Sequence, residues 1–191
     1  MNLYKKILKV TLLLPILFVS SCFLDYGPKL DTVKKVDINK YTGKWYEIKS
    51  FPNSFQRGCH CTTANYTKNP NESYIRVTNS CRRGSSNGRA SIARGKAFIV
   101  PKTNNSKLKV QFFWPFRGNY WILALGDPNK KYEYALIGNP RRNYLWILSR
   151  TPTLPASKIK TIEAIAKEKL FDVKKLKSTD QSCYIKKPTM K

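Results

Sequence analysis

The side chains able to do chemistry are mostly thiols. Five cysteines, Cys22, Cys59, Cys61, Cys81 and Cys183, occur in 191 residues, and His60, between two of them, is the only histidine. Cys59-His60-Cys61 could ligate a metal ion, but its spacing is not that of a zinc knuckle and no second imidazole exists to complete a site. Disulfides are the alternative, and they require an oxidising compartment. The four cysteines after Cys22 allow three pairings. If 58–66 and 74–82 are the arms of a hairpin turning through Lys68-Asn69-Pro70-Asn71, Cys81 faces Cys59 or Cys61, and the one left over must reach Cys183. Catalysis has little to work with. There is no Gly-x-Ser-x-Gly elbow and no phosphate loop, His60 is the sole imidazole base, and Glu47 is more simply an ion-pair partner for a basic group than an acid catalyst. The expectation is a binding protein rather than an enzyme, with no cofactor and no metal.

The compartment is written at the amino terminus. Lys5, Lys6 and Lys9 precede an almost wholly apolar run, 10–19, and no acid interrupts either. This is the pattern of a secretory signal peptide, too short to span a membrane. Its end, Val19-Ser20-Ser21-Cys22, resembles a bacterial lipobox. That resemblance implies cleavage before Cys22, a diacylglyceryl group on its sulfur and an acyl group on the new amino terminus. A single acyl chain holds a protein only reversibly; two or more, at about 0.8 kcal/mol per buried methylene, anchor it stably. The chain then divides into a signal peptide 1–21, a lipid-anchored tether 22–36 and a folded domain 37–191. Phe23 stands where an aspartate marks retention in the inner membrane of Gram-negative cells, which implies the outer membrane.

Charge narrows the partners further. The formal net charge is +25, and removing the three signal lysines leaves 25 − 3 = +22. Such a charge attracts nucleic acid or a phosphate-rich leaflet. Lys and Arg are spread along the whole chain with no run longer than two, so there is no recognition helix or basic arm, and an exported lipoprotein rarely meets nucleic acid. Solubility or a Lys-rich proteome would explain the charge with no partner at all; attraction to anionic lipid is the other reading, and a rival class is a purely adhesive surface lipoprotein gripping lipopolysaccharide or other polyanions.

The elements that would position these groups are strands. Eight runs, 45–51, 59–66, 74–81, 90–100, 107–113, 120–125, 132–137 and 144–149, are rich in Val, Ile, Thr and aromatics and are separated by turn clusters such as Asn69-Pro70-Asn71 and Gly126-Asp127-Pro128-Asn129. A closed up-and-down barrel and a two-sheet sandwich both fit that spacing. One helix follows, opened by Pro155-Ala156-Ser157, with Ile159, Ile162, Ile165, Ala166 and Leu170 forming an apolar stripe suited to pack outside the sheet. Residues 172–184 can then run back extended, carrying Cys183 to the second strand.

Particular residues choose between barrel and sandwich. Tyr41-Thr42-Gly43-Lys44-Trp45-Tyr46-Glu47-Ile48, Phe112-Phe113-Trp114-Pro115-Phe116, Tyr134-Ala135-Leu136-Ile137 and, most specifically, Tyr144-Leu145-Trp146-Ile147-Leu148-Ser149-Arg150-Thr151-Pro152 resemble the lipocalins, in particular the bacterial outer-membrane members and apolipoprotein D. The resemblance implies an all-β, eight-stranded antiparallel up-and-down β-barrel with one C-terminal α-helix packed outside. It implies that Gly43, Trp45 and Arg150 close the barrel floor, and that Cys61 pairs with Cys183 and Cys59 with Cys81. Tyr120 and Trp146 take ligand-facing places, Phe98, Phe112 and Leu136 are added from neighbouring strands, and Phe51, Phe55 and Phe116 form an apolar rim. The implied activity is binding, storage or transport of a fatty acid or lysophospholipid at the cell envelope, by a monomer or a homodimer. A few lipocalin relatives are enzymes, which is the remaining alternative.

Overall fold

The computed structural model describes residues 27–185; the signal peptide and Cys22 lie outside the described residues. Strands β1 (Gly43–Ser50), β2 (Cys59–Lys68), β3 (Ile75–Arg83), β4 (Arg89–Ile99), β5 (Lys107–Gln111), β6 (Gly118–Leu125), β7 (Tyr134–Gly138) and β8 (Leu145–Ser149) pair antiparallel in chain order. Closure falls to β1. Its first half pairs with β2, from Gly43↔Tyr66 to Tyr46↔Thr63, and its second half with β8, from Tyr46↔Ser149 to Ser50↔Trp146. No strand of the eight keeps a free edge, so the barrel, not the sandwich, is the fold. A short helix, α1 (Ile38–Tyr41), precedes β1; α2 (Ala156–Glu168) follows β8; and β9 (Lys177–Ser178) pairs with Ser50 and Lys49 at the end of β1.

Two apolar layers hold this together. Inside the barrel, Trp45, Tyr66, Val77, Ala97, Tyr120, Ile122, Ile137 and Leu148 belong to one buried cluster. Outside it, Leu123, Leu136, Leu145 and Ile147 pack with Ile162 and Ala166 of α2 and with Phe171. Side chains alternate across a strand, so β6, β7 and β8, apolar on both faces, serve both layers at once.

That double use corrects two expectations about the lining. In β7 it is Ala135 and Ile137 that point inward, so Leu136 faces α2 and cannot touch a ligand in the barrel. In β4 the inward residue is Ala97, fully buried; Phe98 lies on the outer face, its ring centroid 5.8 Å from that of Tyr74 and the Arg117 guanidinium 4.0 Å away.

Part of the segment expected to be a tether packs on the barrel instead. Leu30 and Val36 are buried, and the N–H groups of Val33 and Val36 donate to the carbonyls of Ile122 and Asn104, both at 3.0 Å. Apolar residues spaced this way gain more by covering the barrel than by remaining in water. α1 was not anticipated; its start is held by Asp37, whose carboxylate accepts from the N–H groups of Asn39 and Lys40. The returning segment is not wholly extended either: two 3₁₀ turns, Val173–Lys175 and Ser182–Tyr184, flank β9.

Candidate functional site

The barrel's two ends are built differently. At one end Trp45 is fully buried and the Arg150 guanidinium stands 3.6 Å from its ring centroid. The same guanidinium donates to the carbonyls of Lys40 (2.7 Å), Tyr41 (3.0 Å), Lys44 (2.8 Å) and Tyr132 (3.2 Å). It thereby ties α1, β1 and the β6–β7 loop into a closed floor. Stacking on the indole adds about 0.5–2 kcal/mol, depending on desolvation, and burial pulls the Arg150 pKa down to about 10. Gly43, at φ +93°, lets β1 begin beside this stack; a Cβ there would lie 3.3 Å from Lys131 Nζ.

Above the floor three tyrosine hydroxyls meet. Tyr66 donates to Tyr120 at 2.8 Å, and Tyr41 and Tyr120 are hydrogen-bonded at 2.6 Å. Burial pushes Tyr66 up to about 12, and Tyr41 and Tyr120 well above the usual phenol value, so all three are neutral. Tyr66 and Tyr120 close the inner end of a cavity of about 60 Å³. Trp146, Leu148, Ala64 and Phe55 form its apolar side; Glu47, Gln56, Thr62, Thr63 and Asn79 form its polar side.

The polar side is rich in acceptors. Glu47 accepts from Thr179 Oγ1 (2.6 Å), Gln56 Nε2 (2.6 Å) and Ser50 Oγ (3.0 Å), three neutral donors where a basic partner was expected. Asn79 Oδ1 and Thr62 Oγ1 are buried with no hydrogen-bond partner. Each such group costs about 1–3 kcal/mol, which a ligand carrying a hydroxyl or amino donor would recover.

The mouth is roofed by the β1–β2 loop. Gln56 is its central side chain: besides donating to Glu47, its Oε1 accepts from Trp146 Nε1 at 3.0 Å and Asn53 Nδ2 at 2.7 Å. Phe55 sits beside it, with ring centroids 6.0 Å from Tyr144 and 6.5 Å from Trp146. Glu47 and Gln56 also border an outer cleft of about 430 Å³ reached by Lys177, Ser178 and Thr179, so their hydrogen bond stands between cleft and cavity.

The cysteines brace this end. Cys59 is bonded to Cys81 across β2 and β3, and Cys61 to Cys183. Cys61 occupies a bulge in β2 at φ +55°, and its N–H donates to the Asp180 carbonyl at 2.6 Å. With both thiols consumed, Cys59-His60-Cys61 has no thiolate to offer a metal, and His60 Nδ1 lies 3.1 Å from the Asp180 carboxylate instead.

Of the residues put forward from sequence, Tyr120 and Trp146 meet at the cavity. Phe112 packs against the inner cluster over Gly95, where a Cβ would come within 2.8 Å of its ring, but it does not border the cavity. Gln56, Tyr66 and Asn79 were missed. Asn79 was within reach of a parity argument, since it lies two residues from Cys81 on the same face of β3.

The architecture has recognised relatives. A lipocalin-like domain model matches residues 36–181. The chain belongs to the lipocalin family. Temperature-induced lipocalin-1 of Arabidopsis thaliana is 40% identical over 163 residues, covering 81% of this chain and 84% of the relative. The outer membrane lipoprotein Blc of Vibrio cholerae is 39% identical, covering 75% and 82%; apolipoprotein D of Macaca fascicularis is 37% identical, covering 76% and 77%. Among solved structures, insecticyanin of Manduca sexta superposes with a TM-score of 0.62 at 25% identity, covering 80% of this lipocalin and 85% of its own chain. In this lipocalin, Trp45 and Arg150 form the floor and Tyr120 and Trp146 the cavity wall.

Proposed function

We propose that this lipocalin binds an acyl lipid, a fatty acid or lysophospholipid, at the envelope of a Gram-negative cell, held to the outer membrane through acylated Cys22, and releases it unchanged. The observation that carries the reading is the two-sided cavity between Tyr120 and Trp146 under a side-chain roof. At about 60 Å³ it holds roughly two waters. An acyl chain therefore enters by displacing Phe55 and Gln56, which are held only by ring contacts and a few hydrogen bonds. Each methylene then contributes about 0.8 kcal/mol before ordering costs.

The acceptor-rich wall argues for the ligand's orientation. The Glu47 carboxylate and the bare carbonyl oxygen of Asn79 disfavour a carboxylate or phosphate beside them, so the chain goes in first and the anionic head stays at the mouth. Glu47, engaged by three donors, is a poor candidate for acid catalysis, which favours carriage over turnover. The envelope setting is supported by the amino-terminal lipobox and by the Vibrio cholerae relative, an outer membrane lipoprotein, although the Arabidopsis thaliana relative is equally similar. The test is mass spectrometry of protein refolded with membrane extract. A bound fatty acid or lysophospholipid of unaltered mass is expected, and protein that emerges free of acyl lipid overturns the reading.

A further inference from the structure

We propose that the open end of the barrel is a docking surface for an anionic membrane leaflet, with the β5–β6 loop as its point of insertion. Residues 112–117 join β5 to β6, and Phe113, Trp114 and Phe116 are 80%, 87% and 77% exposed, the greatest exposure of large apolar side chains among the described residues. Phe55, 56% exposed, belongs to the same end, because in an up-and-down barrel the loops after β1, β3, β5 and β7 lie together. A cluster of bare aromatics at one tip is costly in water and at home in the headgroup region of a bilayer.

Charge separates a membrane from a protein partner. The β1–β2 loop holds Arg57, the β3–β4 turn is flanked by Arg82, Arg83 and Arg89, and Arg117 ends the aromatic loop; none of the four open-end loops contains Asp or Glu. The opposite end carries Glu72, Asp127 and Glu133 in its loops. Arginine presents a planar fork matched to phosphate oxygens. Trp114 also walls a groove of about 640 Å³ along the outer face of β3 and β4 that includes Arg94.

The path of the chain agrees. Arg142, in the β7–β8 loop, donates to the Pro28 carbonyl at 2.6 Å, so the described chain begins at this same end. Gly27 follows Cys22 by five residues, a reach of about 17 Å at full extension. An acyl group on Cys22, as proposed above, would draw the aromatic loop and the cavity mouth, not the floor, against the lipid.

The test adds the full chain, with Cys22 unacylated so that only the loop can dock, to vesicles and reads Trp114 as the difference in emission between the protein and Trp114→Phe. With phosphatidylcholine vesicles containing phosphatidylglycerol, this signal should shift to the blue and become several-fold less accessible to aqueous acrylamide; with phosphatidylcholine alone it should remain in water. Phe113→Ser/Phe116→Ser, which removes exposed side chains and leaves the circular dichroism unchanged, should return Trp114 to water. Undiminished acrylamide quenching on anionic vesicles overturns the proposal, as does concentration-dependent shielding without lipid, which would assign the loop to a second copy of the chain. Protein that carries acyl lipid yet keeps Trp114 in water refutes the docking and leaves the binding reading standing.

Discussion

Tyr120 does two jobs at one oxygen: it is the hub for the hydroxyls of Tyr41 and Tyr66, and it bounds the cavity. Tyr120→Phe leaves two buried phenols short of a partner, and a loss of about 1–3 kcal/mol is expected from urea unfolding. The same trio sets the alkaline limit. An unfolded tyrosine ionises near pH 10, whereas Tyr66 in the barrel does so at about 12 and its two partners are also raised. Between those values the unfolded chain has lost protons that the folded chain still holds, so stability is full below pH 10 and falls as pH rises towards 12. The three tyrosines are opposed by Arg150, whose pKa of about 10 in the barrel lies below its unfolded value, so the net slope reaches roughly 3 kcal/mol per pH unit; a urea midpoint that stays level from pH 9 to about 11 would contradict this. At the mouth, Gln56→Ala removes the bonds to Glu47 and Trp146, and stopped-flow displacement of a fluorescent fatty acid should accelerate about tenfold, the equivalent of one or two such bonds. Trp45 and Arg150 were legible in sequence because their motif is long and specific. Gln56 was not, because a loop side chain finds its partners only once the strands on either side have closed.

Strand number and the outer helix were readable from apolar runs and helical spacing, but facing was not. β6, β7 and β8 carry apolar residues on both faces, so alternation alone does not say which set looks inward, and Leu136 fell on the wrong side for that reason. Phe98 failed differently: the inward place beside it belongs to Ala97, small enough to leave room inside the barrel. Ile162, fully buried between α2 and the barrel, makes the helix's contribution measurable. Ile162→Ala should cost about 2–5 kcal/mol in thermal or urea unfolding. The two bridges should differ as well. Cys61–Cys183 spans 122 residues and Cys59–Cys81 spans 22, so on the chain-entropy model removing the first pair as alanines should destabilise by about 1.5 kcal/mol more than removing the second. Equal losses by calorimetry would mean that loop length is not what the longer bridge contributes.

For the molecule as a whole, the charge read from sequence gained a direction once folded: the open-end loops hold arginine without acid, and the far loops hold both signs. Total charge was legible from composition, whereas its polarity depends on which turns the barrel gathers at each end. β1 has a further consequence. It pairs with β2 on one side and with β8 on the other, and its tryptophan is capped by Arg150. A ribosome finishes β1 about a hundred residues before it begins β8. Contacts that far apart in sequence form late and slowly. A nascent chain therefore carries an open seam and an uncapped Trp45 until nearly all of it has been made, and a chain truncated before residue 150 has no smaller barrel to fall back on.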